Sequence, residues 1–88
     1  MASKTVKVGS SVGLHARPAS IIADAAAEYD DDIFLNLVGE EDDDETDAAS
    51  SLMIMALGAE QGDEVTVTSD NAEAVEKIAG LIEQDLDA

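Results

Sequence analysis

Strand-like alternation and helical periodicity take turns along these 88 residues, which predicts one domain, residues 1–88, built from both β-strands and α-helices. Two stretches, 16–29 and 71–85, carry apolar residues at helical spacing, and short segments at 5–8, 33–38 and 65–68 read as strands. In the first helix Ala19, Ile22, Ala23 and Ala26 recur at intervals of three and four, and no proline follows Pro18. Proline is tolerated in a first turn because its missing N–H has no intrahelical partner there, so Pro18 marks a beginning. If Pro18 is the first helical residue, Arg17 is the cap; a cap at His15 instead puts Arg17 in a mildly disfavoured pre-proline helical conformation. Residues 52–57 are apolar almost all round and too short for periodicity to separate strand from helix. Val65-Thr66-Val67-Thr68 alternates as a half-buried strand, entered through the turn at 58–62. The last helix is capped by Asp70 or Asn71 and buries Ala74, Val75, Ile78, Leu81 and Ile82, with Gly80 weakening it by about 1 kcal/mol relative to alanine.

Composition narrows the function classes. A domain of this length buries about 60% of its unfolded surface, which allows one modest core and no large catalytic cleft. With 45% apolar residues but one tyrosine, one phenylalanine and no tryptophan, that core must be aliphatic. The absence of cysteine excludes disulfides and thiolate metal sites. No hydrophobic leader and no run of membrane-spanning length is present, so the expectation is a cytoplasmic protein with neither membrane nor nucleic acid as a partner.

The formal charge of −17 is unevenly spread. Residues 1–23 hold no acid and three of the four basic residues, Lys4, Lys7 and Arg17, whereas all 21 acids fall from Asp24 onward with only Lys77 among them. Such acidity with few lysines and many alanines looks like adaptation to molar salt, where the Debye length falls to about 3 Å and self-repulsion is screened. The acidic run 40–47 lacks the sixth-position glycine and the terminal glutamate of a calcium loop, so it reads as a solvated hairpin and no metal ligand is assigned.

The chain's single histidine stands in Gly13-Leu14-His15-Ala16-Arg17-Pro18-Ala19, at the start of the first helix. Either register leaves the imidazole near backbone N–H groups that have no intrahelical acceptor. Those donors, the positive end of the helix dipole and the Arg17 guanidinium together suit an anion, and phosphate is the natural one. A neutral imidazole nitrogen is also a competent nucleophile. The dipole contributes only about 0.3–2 kcal/mol, enough to steady a phosphoryl adduct without trapping it.

That heptapeptide resembles the active-site signature of the HPr family, the histidine-containing phosphocarriers of the phosphoenolpyruvate-dependent sugar phosphotransferase system. The likeness continues in Leu52-Met53-Ile54-Met55-Ala56-Leu57-Gly58 and Gln61-Gly62-Asp63-Glu64-Val65-Thr66-Val67. It implies an α+β fold, the HPr-like open-faced β-sandwich, with a four-stranded antiparallel sheet and three helices on one face in the order βαββαβα. It also makes 52–57 a short helix and requires a strand within 40–47, where no alternating pattern supports one. By resemblance His15 accepts a phosphoryl group from phosphorylated Enzyme I and passes it to an enzyme IIA domain or the phosphoacceptor subunit of a dihydroxyacetone kinase. The chain would then be a carrier without turnover of its own, needing no cofactor and acting as a monomer. Ala16 and Arg17 would bind the phosphate, while Ala16, Arg17, Ser20, Asp24, Ala27, Leu52, Met53 and Met55 would dock partners. Ser50 matches the family's regulatory serine, although Ser50 or Ser51 also suits a helix cap worth about 1 kcal/mol. The chain departs from its bacterial relatives in carrying Asp24 and Ala27 where they usually place lysine or arginine, and Ala49 where a lysine is frequent. Docking is therefore expected to lean on apolar contact. Two classes compete: a hydrolase built on His15 with a serine and an acid, for which no nucleophile motif or oxyanion loop is visible, and a regulatory module that keeps the fold and only docks.

Overall fold

The computed structural model describes residues 2–9, 13–38 and 46–84. In chain order these form β1 (Ala2–Lys7), α1 (Ala16–Ala26), β2 (Ile33–Leu37), β3 (Thr46–Asp47), α2 (Ser51–Leu57), β4 (Glu64–Ser69) and α3 (Ala72–Glu83). The strands pair antiparallel throughout in the order β1-β4-β2-β3, giving the α+β open-faced sandwich with βαββαβα connectivity.

Side-chain alternation explains why the sheet has one covered face. Val65, Val67 and Ser69 of β4 point to the helices together with Ile33 and Leu35 of β2, and all are buried. Between them project Thr66 and Thr68 on the other face, where the Thr5 and Thr66 hydroxyls meet at 2.8 Å across β1 and β4. Ile22 from α1, Ile54 from α2, and Ile78 and Ile82 from α3 close the core against Leu35 and Val67. Burying each such side chain contributes about 1.5–3 kcal/mol. No aromatic ring is fully buried among the described residues, in keeping with the aliphatic core expected from composition.

The register at the start of α1 is settled by geometry. His15 is the N-cap, with φ −86° and ψ −165°, and Pro18 occupies the third helical position. The helix ends at Ala26, three residues short of the expected 29, because Glu28 and Tyr29 bond back to Ala25 and Ala26 in tighter turns. The acids that follow, Asp30 to Asp32, are unfavourable beside the negative end of a helix dipole and favour that early stop.

Other boundaries also shift for local reasons. The first strand begins at Ala2 and stops at Lys7, where pairing with β4 reaches Glu64 and the chain turns. Val8, placed in a strand by its hydrophobicity, is buried outside one, exchanging bonds with Asp63 and Gly62. Of the strand expected within 40–47, only Thr46–Asp47 lies among the described residues; 40–45, and with them most of the acidic run, lie outside. Residues 52–57 are helical, as the resemblance implies and periodicity leaves open. In α3 the cap is Asn71, and residue 85 lies outside the described residues. Leu81 is only half-buried, because it falls at the margin of the arc formed by Ala74, Val75, Ile78 and Ile82, and Ala79 takes the interior place.

Candidate functional site

Contacts fix the described residues on both sides of 10–12, ahead of His15. Gly9 donates its N–H to the Ile82 carbonyl at 3.0 Å and lies so close to Glu83 that a Cβ there would overlap its carbonyl oxygen. Gly13 adopts φ +75°, the left-handed region, and a Cβ would approach the Ala59 oxygen to 2.5 Å. The neighbouring Leu14 then donates its N–H to that same oxygen at 3.0 Å and buries its side chain. The acceptor is itself held in a built turn: Gly58 ends α2 at φ +74°, and the Asp63 carboxylate accepts the Glu60 N–H at 2.9 Å. His15 thus follows a buried anchor directly, and its own side chain is exposed.

At the helix start the Ala19 N–H is already paired with the His15 carbonyl at 2.9 Å, and Pro18 has no N–H to offer. The free donors of the first turn are therefore Ala16 N–H and Arg17 N–H, which meet no acceptor among the described residues. No acidic side chain occupies that turn. Arg17 is exposed and makes no ion pair with a described residue. The exposed His15 side chain, two amides with no acceptor among the described residues and the exposed Arg17 side chain accordingly share the positive end of an eleven-residue helix.

The local positive character seen in residues 1–23 does not all gather there. Lys4 reaches across to α3, with Nζ 3.2 Å from the Glu76 carboxylate, and Lys7 lies opposite Glu64 in the sheet. Arg17 is the cation of the site, a distinction that linear charge counting could not make.

The remaining expected residues fall on one helical surface. Ala16, Arg17, Ser20, Asp24 and Ala27 are all exposed, along the side of α1 and its cap opposite the buried Ala19, Ile22, Ala23 and Ala26. Alongside, α2 packs against α1 and presents Leu52 at 75% exposure and Met53 at 42%, whereas Met55 is half-buried against the core. Ser50 is the N-cap of α2, its Oγ accepting the Met53 N–H at 3.3 Å. Asp47 supports that cap by accepting the Ala49 N–H at 2.9 Å. Sequence reasoning missed Gly9 and Ala59 as positioning residues; Gly13 carried the only visible signal, a glycine next to the histidine motif.

No group of three or more metal-ligating side chains occurs among the described residues, and no described helix is long and apolar enough to cross a membrane.

Comparison with known proteins gives a consistent picture. A family model described as "PTS HPr component phosphorylation site" matches residues 2–84. The "Phosphocarrier protein HPr" of Streptomyces coelicolor is 39% identical over 90 residues, spanning 99% of this chain and 94% of that protein. The "HPr-like protein Crh" of Bacillus subtilis is 33% identical over 89 residues, covering 98% of this chain and 100% of its own. Among solved structures, HPr from Thermoanaerobacter tengcongensis superimposes with a TM-score of 0.83 at 30% identity, covering 100% of this chain and 98% of that one. The exposed histidine at a helix start, the open-faced sandwich around it and these full-length matches lead to one statement: the chain belongs to the HPr family of phosphotransferase-system phosphocarriers, proteins that carry a phosphoryl group without turning over as enzymes.

Proposed function

We propose that His15 is the phosphoryl acceptor and donor of this carrier, charged by phosphorylated Enzyme I and discharged to an enzyme IIA domain or a dihydroxyacetone kinase phosphoacceptor subunit. The observation that carries this reading is the exposed N-cap imidazole at a helix start whose Ala16 and Arg17 amides meet no acceptor among the described residues and whose Arg17 side chain is exposed. In the transfer, a ring nitrogen of His15 bonds to phosphorus as the bond to the donor's carrier atom breaks. The next acceptor reverses the sense. Positioning and charge stabilisation dominate such reactions. Arg17 and the two amides stabilise the incoming negative charge through solvent-exposed hydrogen bonds, loosely enough for release. No cofactor enters on this chain.

Docking falls to the α1–α2 surface, where Leu52 and Met53 supply apolar area and Met55 a flexible margin, with Ser20, Asp24 and Ala27 along the helix. Ser50 serves as the cap of α2; a regulatory phosphate on its oxygen would stand beside the Asp47 carboxylate. The single domain acts as a monomer in a cytoplasm of molar salt, which screens its charge of −17.

The likeness to Crh over almost the full chain favours a second reading, a regulatory docking module. Replacing His15 with alanine separates the two. Loss of phosphotransfer with the His15→Ala protein supports the carrier, and retained function in a cell depending on this chain supports docking alone.

A further inference from the structure

The α1–α2 face is electrically polarised along its length. Arg17 is the only cation in either helix and stands at the His15 end. Ten residues further along α1, about 15 Å at the rise of an α-helix, Ala27 opens onto a depression of roughly 270 Å³ that it shares with Ala49, Asp30, Asp31, Asp32 and Asp47. Asp24 lies exposed between these two ends. The Asp31 carboxylate accepts a bond from the Asn71 amide and Asp47 supports the α2 cap, while Asp30 and Asp32 have no partner among the described residues. Beside this gradient, Leu52 and Met53 form the exposed apolar patch of α2.

Resting on the docking surface proposed above, we infer that this face selects a protein donor whose matching surface is apolar at its centre and basic at the edge remote from the transferred phosphoryl group. Complementarity argues for it directly. An acidic donor edge would meet Asp24 and the carboxylates around the depression in like-charge contact, which costs affinity and slows encounter. A second copy of the chain would set −17 against −17. A donor with lysine or arginine at that edge gains from the same carboxylates and leaves Arg17 to the phosphate. The match thus inverts the charge relation expected when lysines line the first helix.

The test uses the full chain, its own Enzyme I and phosphoenolpyruvate, with KM and kcat for transfer measured from low to molar potassium chloride. Three variants, each changing charge equally, are compared: Asp24→Lys and Asp30→Lys on the face, and Glu64→Lys on the uncovered side of the sheet. Circular dichroism fixes the lowest salt at which all are folded. At that salt the two face variants are expected to raise KM about three- to tenfold with kcat unchanged, an effect that fades as salt rises, while Glu64→Lys leaves KM where it was. A KM that falls, or moves no more than in Glu64→Lys, overturns the inference while leaving His15 as the acceptor. A wild-type chain that takes no phosphoryl group from phosphorylated Enzyme I overturns both.

Discussion

At the scale of single residues, His15 and Gly13 divide chemistry from architecture. The His15 side chain is exposed and makes no capping bond, so His15→Ala is expected to abolish phosphorylation while changing stability by no more than about 0.5 kcal/mol. Thermal unfolding followed by circular dichroism, beside a transfer assay, checks both halves; a large loss of stability would contradict the placement. Gly13 behaves oppositely. A side chain there must adopt φ +75° and press on the Ala59 oxygen, so Gly13→Ala should destabilise by at least about 2 kcal/mol and displace the loop that presents the imidazole. Removing the Arg17 side chain should slow transfer without unfolding the protein, because the guanidinium pairs with no described side chain. The histidine at a helix start beside Arg17 was legible from seven consecutive residues, since a histidine, a cation and a helix start are local features. The supports at Gly9 and Ala59 were not, because they arise from contacts between segments distant in the sequence.

At the scale of elements, the caps rank themselves. Asn71 accepts the Glu73 and Ala74 N–H groups at 3.0 and 3.2 Å and donates to Asp31 at 3.0 Å, whereas Ser50 accepts one N–H at 3.3 Å. Asn71→Ala is therefore expected to cost about 1–2 kcal/mol and Ser50→Ala about 0.5–1 kcal/mol, measured as shifts in denaturant midpoint at constant slope. Equal losses would contradict this ranking. Gly80→Ala should stabilise α3 by about 0.5–1 kcal/mol, because nothing lies within 4 Å of the added Cβ. The long helices and β4 could be read from periodicity, since each buries one face against the sheet and its sequence records that asymmetry. The two-residue β3 could not, as it is too short for alternation and its pairing with Phe34 and Leu35 is decided by the partner strand. The α2 helix escaped periodicity for a different reason: Ile54 is its one fully buried residue, and Leu52 and Met53 are apolar yet exposed. Hydrophobicity there does not mark a core face.

At the scale of the whole molecule, net charge bears on stability. Self-repulsion at −17 opposes compaction, and molar salt shortens its range to about 3 Å. The thermal midpoint is expected to rise steadily from dilute buffer to molar potassium chloride, each 1 kcal/mol gained appearing as about 4–8 °C in a domain of this size. An unchanged midpoint would contradict the high-salt reading. Fold and carrier role belong to the family, and the charge of −17 together with the polarity proposed for the α1–α2 face bears on which donor this chain can meet. Transfer between molecules joins all three scales: the imidazole must be reactive, the helix start must receive charge, and the surface must dock. The most direct measurement is incubation with Enzyme I and phosphoenolpyruvate in molar potassium chloride, followed by intact-mass and fragment analysis. The account predicts a single added phosphoryl group on His15, labile in acid and stable in alkali, and absent from His15→Ala. A chain that stays unmodified, or carries the group on another residue, contradicts it.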